Sequence, residues 1–160
     1  MSQRPVILVV DDEAAELASL FDAVSRRYGA DYRVVSHFSA NDAIEDLKRM
    51  RDGGESVALA IADQWMPEMD GADFLLRVHD SHPEAQRALL VHWGDKTASR
   101  AILQGCALGQ IENYLLKPWA PAEVHLYPLI GEFLTDWTRA HGPRMELVRI
   151  VGSDPSPRCH

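Results

Sequence analysis

Four residues in the chain sit where a reaction can be run. They are Asp11 and Asp12 in "VILVVDDE", Asp63 in "LAIADQWMPEMDG", and Lys117 in "YLLKP". Each directly follows a run of apolar residues and precedes sequence that turns the chain. Three carboxylates brought into one cleft repel each other and raise one another's pKa values. A hard divalent cation relieves that repulsion. Mg2+ takes oxygen ligands in octahedral geometry and is usually held by one or two carboxylates together with a phosphate. A carboxylate left free is then a nucleophile. An acyl phosphate formed on it carries roughly −2 charge, which the metal and the Lys117 ammonium would both stabilise.

Whether these residues meet depends on the elements that carry them. Apolar runs of strand length alternate with segments of helical period. Strands are predicted over residues 5–10, 32–38, 57–62, 87–93 and 111–116. Leu17, Leu20, Phe21, Val24 and Tyr28 fall at helical spacing, as do Ala43, Ile44, Leu47 and Met50. "GADFLLRVHDS" and residues 97–108 give two more helices. Leu126, Ile130, Phe133, Leu134 and Trp137 form the stripe of a last helix, whose start is blurred by Pro121 and Pro128. Five βα units in succession predict an α/β, flavodoxin-like, doubly wound fold: a five-stranded parallel sheet with helices on both faces. In such sheets ligands bind outside the carboxyl ends of the strands, where strands one, three and five converge. Asp11, Asp12, Asp63 and Lys117 are therefore expected in one cleft. Taken singly, each also has a purely structural use. Asp11 or Asp12 suits a helix N-cap, Asp63 an Asx-turn before Pro67, and Lys117 a surface position before a turn proline. Their joint placement at the ends of alternate strands favours the site.

The chain has 160 residues, enough for one domain with a sizeable core or one domain plus an extension. Apolar residues make up 46% and charged residues 25%, as in ordinary globular proteins. No apolar run approaches the roughly 18 residues of a membrane span, and the N-terminus lacks the layout of a signal peptide. A net charge of −8 argues against direct binding to nucleic acid or to an anionic membrane. The basic clusters around Arg26 and Lys48 read as solvated helix faces. Cys106 and Cys159 form no CxxC pair, which fits a reducing cytoplasm and offers neither a zinc site nor a dithiol. A Gly-x-Ser-x-Gly elbow and a DxDxT motif are both missing, which argues against serine hydrolases and aspartate-nucleophile phosphatases. Residues 145–152 read as one more strand with no helix behind it, either the opening of a second unit or a terminal tail.

"VVDDE", "ADQWMPEMDG" and "YLLKP" at these separations resemble the receiver domain of two-component response regulators, over residues 5 to about 137. The resemblance implies a receiver domain at residues 4–140, with 141–160 a linker or the start of a truncated second domain. It implies that Asp63 is the phosphoacceptor and Asp12 the direct ligand of Mg2+ (or Mn2+). Asp11 would act through water, and the Trp65 carbonyl would complete the protein ligands. Lys117 would contact the phosphoryl group, the bond to Pro118 would be cis, and Tyr114 would be the aromatic that changes rotamer. Such a chain is a bacterial, cytoplasmic signalling domain with slow self-catalysed phosphoryl transfer rather than an enzyme. Its partners would be a histidine kinase or phosphotransfer protein and an output domain.

Two features depart from the family pattern. Receivers carry Thr or Ser at the end of strand four, where this chain offers Val91 or His92. That leaves open a pseudo-receiver acting through protein contacts alone. The segments "PWAPAEVHLYPLIGEFLTDW" and "VRIVGSDPSPRCH" resemble receivers fused ahead of a flavin-dependent, thioredoxin-reductase-like module, yet the chain has no GxGxxG and no CxxC. Trp119 and Trp137, large apolar groups near the end of a small domain, suggest a contact with a partner or a homodimer through the last helix.

Overall fold

The computed structural model describes residues 4–92, 94, 96–109 and 111–141. Strands and helices alternate in the order β1 (Val6–Val10), α1 (Ala14–Tyr28), β2 (Arg33–His37), α2 (Ala40–Asp52), β3 (Val57–Asp63), α3 (Gly71–Ser81), β4 (Gln86–His92), α4 (Lys96–Ala107), β5 (Asn113–Lys117), α5 (Ala122–His125) and α6 (Tyr127–His141). The five strands form one sheet in the order β2-β1-β3-β4-β5, and every pairing is parallel. This is the doubly wound flavodoxin-like fold expected from the alternation of strand and helix periods.

Burial follows the sheet order. All residues of β1 and β3 are buried, which is why these strands read as continuous apolar runs. β2, at one edge, is half-buried throughout and admits Arg33, Ser36 and His37. Successive strand side chains point to opposite faces, so each strand feeds two cores. One core joins Val6, Leu8 and Val10 to Leu47, Phe74 and Leu75 of α2 and α3. The other joins Ile7, Val9 and Ile61 to Leu17 and Leu20 of α1 and to Ile130 and Phe133 of α6.

Two expectations are corrected by the packing. The last helix comes in two pieces, and the buried Leu126 lies between them. Pro128 sits at the second position of α6, in the first turn, where its missing N–H breaks no helical bond. Trp137, expected as a contact for a partner, is only 6% exposed and belongs to the domain's own second core. A homodimer through the last helix therefore has no exposed Trp137 to rest on, and Trp119 is half-buried against the same core. The strand expected at 145–152 lies outside the described residues, as does Cys159.

Candidate functional site

The site is built at the carboxyl edge of the sheet from β1, β3 and β5. Asp11 leaves β1 almost fully buried, and its Oδ1 accepts the Glu13 N–H at 3.0 Å, turning the chain into α1. Asp63 is the last residue of β3 and still pairs with Leu90 of β4, so it is held by the sheet rather than by a loop. Its Oδ2 accepts the Trp65 N–H at 3.2 Å.

Behind Asp63, the buried Gln64 binds three ways. Its N–H donates to the Leu90 carbonyl at 3.1 Å, its own carbonyl accepts the Gly71 N–H at 2.9 Å, and its Oε1 accepts the Ala72 N–H at 3.3 Å. These bonds fasten the start of α3 to the end of β3. Asp70 caps that helix by accepting the Asp73 N–H at 2.8 Å. Gly71 is required by this closeness: a Cβ there would lie 2.7 Å from Leu89 Cδ1 and in outright collision with the Asp63 carbonyl oxygen. The turn chemistry of "MPEMDG" thus makes Asp63 stationary.

Lys117 closes the site from β5, and the Lys117–Pro118 peptide is cis, as is Ala120–Pro121. Its Nζ lies 2.5 Å from Asp63 Oδ1, 2.8 Å from Glu16 Oε2 and 3.6 Å from Asp11 Oδ2. One ammonium therefore faces three carboxylates, from β1, α1 and β3. Burial works against the Lys117 charge, but the bonds to Asp63 and Glu16 outweigh it and raise its pKa above 10.5. Burial is also the main reason the Asp11 pKa is pushed up to about 6; the Asp63 charge adds to this, while the Glu13 N–H and Lys117 oppose it. Glu16 goes the other way, held below the usual carboxylate range chiefly by its bond from Lys117.

The donor set suits a hard cation. One oxygen each from Asp11, Glu16 and Asp63 lies within 4.8 Å of the others, and Asp11 Oδ2 is buried with no hydrogen-bond partner. Three oxygens, one of them unsatisfied, match the ligand preference of Mg2+ or Mn2+ and of no soft metal. Asp12 is exposed on the open side of the same turn and is not one of these three. Glu16 is the third acid of the cluster and is at the same time bonded to Lys117; its type and spacing do not single it out in the sequence. Its only signal was an acid in the first turn of α1, one helical turn past the Asp11-Asp12 pair.

The strand-four residues separate clearly. Val91 is 3% exposed and packs in the first core with Tyr114 against it, whereas His92 is exposed. Val91 and Tyr114 thus share a face of the sheet. Beside Lys117, a cleft of about 320 Å³ opens between α1 and the turn after β5, lined by Glu16 among others.

The family model for the response regulator receiver domain matches residues 7–127. The chain belongs to the response regulator receiver family. This receiver is 33% identical over 119 residues to the hydrogenase transcriptional regulatory protein HoxA of Cupriavidus necator, a match covering 74% of the chain and 22% of HoxA. It is 30% identical over 121 residues to the two-component response regulator ORR5 of Oryza sativa subsp. japonica, covering 75% of the chain and 83% of ORR5. The receiver chain thus spans less than a quarter of the HoxA proteins it matches. Among solved structures, an uncharacterized protein from Neptuniibacter caesariensis superposes with a TM-score of 0.72 at 30% identity, covering 91% of this chain and 100% of that one. The signal receiver domain of an HD domain-containing protein from Pseudomonas fluorescens Pf-5 does so with a TM-score of 0.67 at 28% identity, covering 88% and 93%.

Proposed function

We propose that this receiver is a phosphorylation switch whose phosphoacceptor is Asp63, acting with Mg2+ or Mn2+. The observation that carries the reading is the meeting of buried Asp11 and Asp63 with the Lys117 ammonium at one strand edge. Asp63 supplies a carboxylate oxygen that attacks the phosphorus of the donor. The bond from phosphorus to the donor's leaving atom breaks, and the leaving group departs with that electron pair. Attack by water on the same phosphorus later returns Asp63 to its carboxylate. The Trp65 N–H holds the Asp63 carboxylate in one orientation, and the Gln64 bonds keep its backbone still. Lys117 moves its ammonium onto a phosphoryl oxygen. Asp11, Asp12 and Asp63, with the Trp65 carbonyl, would hold the cation. When bound, the cation offsets repulsion among the acids and on the phosphoryl oxygens.

Val91 occupies the place of the usual strand-four hydroxyl. It shares the core with Tyr114 and cannot donate a hydrogen bond, so phosphorylation draws on Tyr114 weakly. A pseudo-receiver draws its support from this one residue. The acid–lysine cluster supports the phosphorylated reading. The donor is a histidine kinase or phosphotransfer protein in the cytoplasm. The output is a separate partner or a fused flavin-dependent, thioredoxin-reductase-like module, as the sequence around residues 118–137 resembles.

Intact-mass spectrometry after incubation with acetyl phosphate and MgCl2 tests the reading. A single phosphoryl adduct is expected, lost in Asp63→Asn and in EDTA. An adduct that persists in Asp63→Asn overturns the assignment.

A further inference from the structure

Lys117 has three protons to donate, and two of them reach Asp63 Oδ1 and Glu16 Oε2. A divalent cation attracted to Asp63 and Asp11 repels the ammonium from the same oxygens, because like charges a few ångströms apart are strongly unfavourable. The ammonium must then go elsewhere. The cleft beside it provides room, because Ala15 and Ser19 of α1 are small and face Pro118 and Trp119 across it. Glu16 stands at the same place, already bonded to Lys117 and more open to solvent than Asp11 or Asp63.

We propose that Glu16 is a positioning residue that keeps the Lys117 ammonium at the rim of the cleft while a divalent cation takes the Asp11 and Asp63 oxygens. Glu16 gives the lysine a second seat, from which it returns to the phosphoryl group. This rests on the reading of Asp63 as phosphoacceptor with a cation beside it. It adds a residue outside the three family motifs, and it makes the affinity for the cation depend on the reach of the Glu16 side chain.

The test uses the whole chain and MgCl2 alone, titrated by NMR on the Glu13 and Trp65 amides and on the Lys117 side-chain signals. Glu16→Gln removes the charge, while Glu16→Asp keeps the charge but shortens the reach by one methylene. Both variants are expected to weaken Mg2+ binding about three- to fivefold, the loss of one partly exposed ion pair. In both, the Lys117 side-chain signals of the Mg2+-saturated protein should move toward those of a solvated lysine. If Glu16→Asp binds Mg2+ as the wild type does, Glu16 acts only as diffuse charge and the proposal is overturned. Unchanged affinity in both variants overturns it too. Phosphorylation of the wild type by acetyl phosphate, followed by intact mass, separates the two readings. An adduct with unchanged Mg2+ affinity in the variants sinks only the role of Glu16, whereas a wild type with neither adduct nor Mg2+ binding sinks the parent reading.

Discussion

Replacing Asp11 with Asn should make the metal-free protein more stable, and by an amount that depends on pH. The folded state raises the Asp11 pKa from 3.8 to about 6, with burial the leading cause. An acid raised on folding penalises the folded state wherever the unfolded chain has already lost its proton. Below about pH 4 both states hold the proton and the penalty vanishes. It grows as pH climbs from 3.8 towards 6, because the unfolded chain ionises first, and it is constant above that. Each pH unit of difference is worth about 1.36 kcal/mol, so the full penalty is about 3 kcal/mol. Asn keeps an Oδ1 for the Glu13 N–H and differs little in volume from Asp. In EDTA, urea unfolding should find Asp11→Asn about 2–3 kcal/mol more stable than the wild type near pH 8, and about half of that near pH 5. Adding MgCl2 should narrow the gap near pH 8, because a ligand that binds only the folded wild type stabilises it by mass action. A variant less stable than the wild type near pH 8, or a gap that does not change between these pH values, would refute the reasoning.

Val91→Thr should cost about 1–2 kcal/mol, since it buries a hydroxyl among apolar neighbours, and should enlarge the beryllofluoride-induced shift of the Tyr114 ring signals seen by NMR. Gly71→Ala should destabilise the protein by about 3 kcal/mol in thermal unfolding and displace the Trp65 amide signal, because the new Cβ meets the Asp63 carbonyl and Leu89. Arg87→Met should cost about 1–3 kcal/mol in urea unfolding: the buried guanidinium donates to Glu112 Oε1 at 3.0 and 2.8 Å and to the Gly109 carbonyl at 3.0 Å, and its loss removes those bonds, water replacing part of them at the partly exposed Glu112. Trp137→Ala should lower stability by about 3–5 kcal/mol while leaving the sedimentation coefficient of the folded protein unchanged, as fits a core residue rather than a contact.

Elements whose neighbours in sequence set their structure were legible in advance. α3 runs over the residues "GADFLLRVHDS" as read, because Asp70 caps it and a proline follows it closely. Strand β3 extends one residue beyond its apolar run, because Asp63 continues the ladder with Leu90. Charge at a strand end marks the end of hydrophobicity, not the end of pairing. The stripe of Leu126, Ile130, Phe133, Leu134 and Trp137 is buried as its spacing indicates; the position of Trp137 near the chain's end suggested a contact, but it follows its stripe neighbours inward. Glu16 was out of reach for a different reason. An acid in the first turn of a helix has a sufficient local use against the helix dipole, and only the tertiary fold brings Lys117 to it. Of the two strand-four residues, Val91 shares parity with Leu89 and faces the same core as Tyr114, as alternation along a strand dictates, while His92 falls on the other side.

Lys117 belongs to an edge strand, yet its ammonium grips a carboxylate of β3, two strands inward, and approaches one of β1, three strands inward. The side chain is a tether passed over the end of β4. An edge strand has a neighbour on one side only, so β5, like β2 at the other margin, opens more readily than the central strands, and the tether works directly against that fraying. Whatever replaces the lysine's partners, whether a cation or a phosphoryl group, changes the tension on the margin of the sheet. The exchange rates of the backbone amides from Asn113 to Lys117 should therefore report whether a ligand sits among the acids, readable in the unlabelled protein.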